Sequence, residues 1–247
     1  MGITNRTIFR TLVAALAAVL SLAVVGLCQS DRPSRSDMPS FSAKATSIYE
    51  KKAVTSPDGK KRTSLTMVEA DSNTTMHPAK VTMSTGRAHL SAGTDFGLDA
   101  EILWSPDSLA FSVTGSREGA NGQYGTDVFL IHRDVLVKVE LTRLLEEAFG
   151  HPVKCWWPEP PNVVAVRWLV ASKKILVAAQ IIHHSNCDSF GTFRTYEVDL
   201  AGPRIVAALD QLESKRLYGD DLGTELLDAD DKCVRDPKSC WVNANHQ

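Results

Sequence analysis

Residues 100–114 read AEILWSPDSLAFSVT and contain two apolar runs separated by a short polar segment. The segment at 105–108 (SPDS) has the composition of a tight turn, because proline presets φ and aspartate bonds to nearby backbone groups. The runs on either side are rich in residues that favour strands. The stretch therefore predicts a β-hairpin with Trp104 at the end of its first strand.

The turn sequence at 105–108 recurs along the chain. Residues 55–60 (TSPDGK) align with residues 104–109 (WSPDSL) at an offset of 49 residues. Residues 168–173 (WLVASK) form a weaker third copy, and the extra length before it matches an inserted segment at 141–155. Each unit reads as strand, turn, strand, loop, strand, turn, strand, which predicts three successive four-stranded antiparallel sheets.

With this repeat the chain resembles the WD40-like blades of the TolB family and of dipeptidyl-peptidase IV propeller domains. The second unit carries the resemblance best, with residues 100–114 followed by TDVFLIHRD at 126–134. The resemblance implies a mainly β fold over residues 47–209, arranged as a partial or degenerate β-propeller of about three blades. It also implies protein–protein interaction in the cell envelope, and tryptophan packing between blades.

This sequence departs from the blade pattern in each copy. The first copy has Thr55 in place of tryptophan, the second has Ser108 in place of glycine, and the third keeps only Trp168. Closed propellers use at least about four blades. The alternatives are a partial propeller, an open stack of sheets, or a ring completed by self-association or by another chain.

Two segments have a helical pattern. Residues 141–149 (LTRLLEEAF) place their leucines on one face, and Gly150 follows as a stop signal. Residues 210–247 are predicted to form a helical C-terminal segment that Gly219 and Gly223 divide into short pieces. This segment is a candidate cover for an unpaired outer strand.

The N-terminus is typical of an exported protein. Residues 1–28 combine two arginines with an apolar run at 12–27, as a signal peptide does. An uncleaved N-terminal anchor is the alternative. Residues 25–28 (VGLC) also resemble a lipobox, which would make Cys28 a lipidation site, although Leu27 stands where a small residue is usual. Residues 29–46 are predicted to be a flexible linker, and the protein is expected in the periplasm or envelope.

Four further cysteines favour disulfides, because an exported protein meets an oxidising compartment. Three pairings can be drawn among Cys155, Cys187, Cys233 and Cys240. The pairs Cys155–Cys187 and Cys233–Cys240 are preferred since each closes a local loop. A zinc site is the alternative, but no CxxC spacing supports it.

The remaining sequence offers little chemistry. The formal net charge of −2 does not favour nucleic-acid binding, and the hydrolase motifs GxSxG, SxxK and HExxH are absent. No catalytic, cofactor or metal residue is predicted. Four segments contain residue types that occur in functional sites, but a structural role is favoured for each. They are His183-His184, the carboxylates Asp228, Asp230 and Asp231, the loop at 115–125, and Trp156-Trp157.

The sequence thus predicts an exported, non-catalytic binding or scaffolding protein whose partner is another envelope protein. Contact with the membrane is expected only through a lipid or an uncleaved signal. The alternative is an envelope hydrolase or carbohydrate-binding protein with a site that the motifs do not reveal.

Overall fold

The computed structural model describes residues 40–48, 53–67, 79–86, 88–94, 96–97, 100–116, 122–133, 135–150, 160–182 and 191–235. The strands in these ranges are β1 (Thr46–Ser47), β2 (Val54–Thr55), β3 (Lys61–Met67), β4 (Ala79–Thr85), β5 (Ala88–Thr94), β6 (Ala100–Trp104), β7 (Ala110–Ser116), β8 (Tyr124–His132), β9 (Val135–Glu140), β10 (Asn162–Val170), β11 (Lys174–Gln180), β12 (Phe193–Asp199) and β13 (Arg204–Leu209). The helices are α1 (Thr142–Phe149), α2 (Gln211–Tyr218), α3 (Thr224–Leu227) and α4 (Lys232–Arg235).

The strands form three antiparallel sheets in chain order. The first sheet is β2-β3-β4-β5, the second is β1-β6-β7-β8-β9, and the third is β10-β11-β12-β13. Within each sheet, every strand except β1 pairs with the strands of that sheet that precede and follow it in the chain. This order arises because tight turns or loops connect antiparallel strands directly. The prediction of a mainly β fold built from antiparallel sheets with few helices is confirmed.

The second sheet lies between the other two and buries both of its faces. Val81 and Met83 of the first sheet share one apolar cluster with Ile102 and Phe111 of the second. A separate cluster joins Val128 of the second sheet to side chains of the third. Strands buried on both faces read as nearly continuous apolar runs, which explains why β6 and β10 lack clear alternation.

The two tryptophans of the repeat each lie between a sheet and the sheet that precedes it. Trp104 belongs to the cluster between the first and second sheets. Trp168 belongs to the cluster between the second and third sheets, where its Nε1 donates to the Leu103 carbonyl at 3.0 Å. The sequence expectation that tryptophan packs between repeat units is therefore confirmed.

The outer face of the third sheet is covered by the C-terminal helices. Val164, Leu176 and Phe193 of this face pack against Leu222 and Leu226 from the α2–α4 region. The predicted breaks at Gly219 and Gly223 fall at the end of α2 and the start of α3. The segment thus covers a sheet face, whereas the sequence had suggested that it covers an outer strand.

The strand that follows the first turn was predicted by the repeat alone, and the predicted start of the folded domain was too late. β3 (KRTSLTM) is too polar to be recognised by its apolar content, yet it pairs along its whole length with β4. Phe41 is buried and Ser42 bonds to the Val166 carbonyl, so the folded part of the chain begins before residue 47. No helix in the described ranges is both long and apolar enough to cross a membrane.

Candidate interaction surface at the turn row

The corners that the sequence singled out have the same internal geometry in the first two sheets. Ser56 Oγ donates to Asp58 Oδ1 at 2.6 Å, and the Lys60 amide donates to the same oxygen at 3.0 Å. Ser105 Oγ donates to Asp107 Oδ1 at 2.6 Å in the same way. The offset of 49 residues in the sequence is therefore a structural equivalence.

One residue in each turn has a positive φ. The values are 72° at Gly59, 58° at Ser108 and 44° at Ala171. Glycine adopts this conformation at little cost, whereas other residues need a compensating contact. Ser108 has one, because its Oγ accepts a hydrogen bond from the Asp58 amide at 3.0 Å. The serine that departs from the blade pattern thus joins the first two turns.

The third turn is joined to the second by a different hydrogen bond. The Ser172 amide donates to Asp107 Oδ2 at 3.0 Å. Lys173 closes the third turn by donating its amide to the Val170 carbonyl at 2.8 Å. The turns at 56–60, 105–109 and 170–173 therefore form one hydrogen-bonded row, which we call the turn row.

The two aspartates of the turn row are held as carboxylates. Hydrogen bonds from Ser56 Oγ and the Lys60 amide hold the pKa of Asp58 below its usual range. Partial burial raises the pKa of Asp107, but bonds from Ser105, Leu109 and Ser172 outweigh this effect and leave the pKa below its usual value. Both side chains serve as acceptors that fix the backbone of the turns.

The turn row also exposes apolar side chains. Leu109 is 49% exposed and Val170 is 51% exposed, although both belong to a fixed backbone. The Ile131 amide donates to the Leu109 carbonyl at 2.9 Å, which places the β8–β9 hairpin and the exposed Val135 at the same end. Binding residues are often carried by loops that a rigid scaffold positions, and these turns place apolar side chains in that way.

The acidic segment near the C-terminus is occupied by its own neighbours. Asp231 Oδ1 accepts bonds from Lys215 Nζ at 2.8 Å and from Gln211 Nε2 at 2.6 Å. Asp230 Oδ1 accepts from the Lys232 amide at 2.8 Å. Within the part of the chain that the structure describes, His, Cys, Asp and Glu side chains form no group suited to a metal ion.

Several sequence predictions lie outside the described residues. They include the lipidation site, the preferred disulfides and two of the segments weighed above. The residues concerned are Cys28, Cys155, Cys187 and Cys240, the side chain of Cys233, His183-His184 and Trp156-Trp157. The pairing of the cysteines and the lipidation of Cys28 remain predictions.

A buried carboxylate that the sequence analysis missed holds the start of the folded chain. Glu101 in β6 is 8% exposed, and both of its carboxylate oxygens accept from the Phe41 amide at 3.3 Å. Burial raises the pKa of Glu101 from 4.5 to about 7, against the opposing effect of these bonds. The signal in the sequence was an acidic residue within the apolar run AEILW.

This carboxylate predicts a pH-dependent stability. Because the folded-state pKa lies above the unfolded value, the stabilisation is complete below about pH 4.5 and is lost as the pH rises through about 7. Glu101→Gln mimics the protonated form at every pH. We expect the free energy of unfolding of this variant to exceed that of the wild type by about 1 kcal/mol at pH 5 and by about 3 kcal/mol at pH 8.

Urea unfolding of both proteins at the two pH values measures the difference. Glu147→Gln is the control, since Glu147 is 65% exposed and pairs with Arg143 in the same helix. A difference between Glu101→Gln and wild type that stays constant from pH 5 to pH 8 would contradict the prediction.

No known protein family matches this chain, and no curated protein is significantly similar to it in sequence.

Proposed function

We propose that this chain is an exported, non-catalytic binding or scaffolding protein of the bacterial cell envelope, and that its turn row binds another envelope protein. The observation that carries this proposal is the hydrogen-bonded row of three turns with exposed Leu109 and Val170. The signal-like sequence of residues 1–28 supports the export.

The sheets are proposed to be blades of a degenerate, open propeller. Each contains four strands that pair in chain order, with β1 added to the edge of the second sheet; apolar clusters join each sheet to the next, and the first turns of the three sheets are hydrogen-bonded in a row. This combination is the arrangement of blades in a propeller. The helices over the third sheet and the polar outer face of the first sheet favour an open stack over a closed ring, because neither end offers an apolar face to another blade.

A rigid turn row suits binding because little conformational entropy is lost when a partner contacts it. The internal Ser–Asp bonds fix the first two turns, and Asp107 links the second to the third. Exposed leucine and valine then supply apolar area without first having to be ordered. Apolar area that is already ordered contributes to affinity because its burial costs little conformational entropy.

The test replaces the two exposed anchors with charge. Leu109→Glu/Val170→Glu is expected to weaken binding by at least about tenfold, because a glutamate in a desolvated interface has no compensating partner. The partner is first identified by cross-linking the full-length tagged protein in envelope fractions and by mass spectrometry. The affinity of the purified pair is then measured for wild type and variants.

Leu217→Glu/Leu227→Glu is the matched control, since these side chains are 47% and 44% exposed and belong to the C-terminal helices that cover the outer face of the third sheet. The control should keep wild-type affinity, and both variants should keep the wild-type melting temperature. Equal affinity of the two variants for the identified partner would exclude the turn row as its binding surface.

A further inference from the structure

The first sheet has one face that no described element covers. Thr63, Val81 and Met83 turn towards the second sheet and are buried. The alternate residues of β3, β4 and β5 form the opposite face, which we call the open face. Its members are exposed or half-buried and are Arg62, Ser64, Thr66, Lys80, Thr82, Ser84, His89, Ser91 and Gly93.

The strand register places these residues in three rows across the sheet. The rows are Arg62–Ser84–His89, Ser64–Thr82–Ser91 and Thr66–Lys80–Gly93. Neighbours within a row are about 5 Å apart and successive rows about 7 Å apart, which follows from strand geometry. The open face is therefore a regular surface of hydroxyl groups with cations in its two outer rows.

The charged side chains of the open face have no ion-pair partner among the described residues. Neither Arg62 nor Lys80 forms an ion pair with any described residue, and no carboxylate stands in the three rows. Elsewhere in the sheets lysines are paired, as Lys174 is with Glu197 at 3.2 Å. Two cations with no ion-pair partner in the described ranges, on a chain of net negative charge, favour an external anion.

We propose that the open face binds an anionic polysaccharide. Arg62 and Lys80 would contact its carboxylate or phosphate groups, since charge-assisted hydrogen bonds are the strongest of these contacts. The serine and threonine hydroxyls of the middle row both donate and accept, which matches the hydroxyl groups of sugar rings. The open face is a different surface from the turn row. Polysaccharide binding by the open face and protein binding by the turn row can therefore be disproved independently.

The residue types of the open face favour a polysaccharide over two other classes of polyanion, nucleic acids and lipid bilayers. Proteins that bind single-stranded nucleic acid use aromatic side chains as stacking platforms, and the three rows contain no Phe, Tyr or Trp. Surfaces that bind lipid bilayers insert large apolar side chains, and these rows contain none. Hydroxyl groups spaced between cations suit a hydrated polymer that carries both charge and hydroxyl groups.

The experiment measures binding of the full-length protein to fluorescein-labelled polygalacturonate by fluorescence anisotropy. Wild type should bind, with an affinity that falls as salt is added, and should not bind neutral dextran. Arg62→Gln/Lys80→Gln should weaken binding by at least about tenfold. Arg143→Gln/Arg216→Gln is the control, since it removes the same charge from side chains that are 90% and 69% exposed elsewhere.

A second variant tests the hydroxyl groups at constant charge. Thr82→Val/Ser91→Ala should also weaken binding, by at least about threefold, because sugar hydroxyls lose their partners. Circular dichroism and melting temperature should show every variant to be folded. Unchanged affinity of Arg62→Gln/Lys80→Gln relative to its control would overturn the proposal.

The competing occupants give different results. Binding to phosphatidylglycerol vesicles or to a single-stranded oligonucleotide that is tighter than binding to polygalacturonate, and that is weakened in Arg62→Gln/Lys80→Gln, would assign the open face to a membrane or a nucleic acid and would overturn the polysaccharide. Self-association seen by light scattering, and lost in Arg62→Gln/Lys80→Gln, would assign the face to a second copy of the chain and would also overturn it.

Discussion

Replacing Trp168 with alanine is expected to lower the free energy of unfolding by about 4 kcal/mol, the usual cost of removing a buried tryptophan. Trp168 is 5% exposed and lies between the second and third sheets. Its indole also donates to the Leu103 carbonyl at 3.0 Å, so truncation leaves a cavity and removes a bond between sheets. A loss of this size is a large fraction of the stability of a domain.

Urea unfolding followed by circular dichroism measures this loss. Trp168→Phe is the matched variant, because it keeps an aromatic ring in the cluster while it removes the N–H donor and part of the volume of the indole. We expect it to cost about 1–2 kcal/mol, the cost of a lost hydrogen bond and a smaller ring. If Trp168→Ala were within about 1 kcal/mol of wild type, the interface between the second and third sheets could not depend on this residue.

The tryptophans also show why the repeat could be predicted from the sequence. Each one packs against the preceding sheet, and the first repeat, where Thr55 replaces tryptophan, has no described sheet before it. The turn at 105–108 could also be predicted from the sequence, because proline and aspartate stabilise a turn through local geometry and local hydrogen bonds. Signals of this kind depend on near neighbours in the chain and survive in a single sequence.

Structural features that depend on contacts between distant residues could not be predicted from the sequence. β3 forms a strand because β4 pairs with it, and its own sequence KRTSLTM gives little sign of that. The open face follows from which side of β3 meets the second sheet, since a strand alone does not say which face is buried. The bond between Asp107 and the Ser172 amide joins residues 65 positions apart and needs the stacking of the sheets.

The contact between the N-terminal segment and the C-terminal helices is a further long-range feature. The Gly223 amide donates to the Phe41 carbonyl at 2.9 Å, and the Glu225 amide donates to the Ser40 carbonyl at 3.0 Å. These bonds hold Phe41 in the cluster that covers the third sheet. The sequence presented Gly223 only as a helix breaker, but its lack of a side chain is what admits the segment.

Gly223→Ala is therefore expected to lower the free energy of unfolding by about 4 kcal/mol, from lost burial of Phe41 and lost backbone bonds. A Cβ at this position would overlap the Ser40 carbonyl and lie 2.7 Å from the carbonyl carbon of Phe41. Both neighbours are backbone atoms, so a rotamer change cannot relieve the overlap. The segment at 40–43 would have to leave its place between β6 and the helices.

Gly202→Ala is the control, because a Cβ there meets no atom within 4 Å and its φ is not positive. It should stay within about 0.5 kcal/mol of wild type in urea unfolding, as surface substitutions usually do. Amide exchange adds a local readout: in Gly223→Ala the amides of Ala43 and Glu225 should exchange faster, since both bond across this contact. Equal stability and equal exchange in the two alanine variants would mean that the close approach of Gly223 to the segment at 40–43 does not exist in solution.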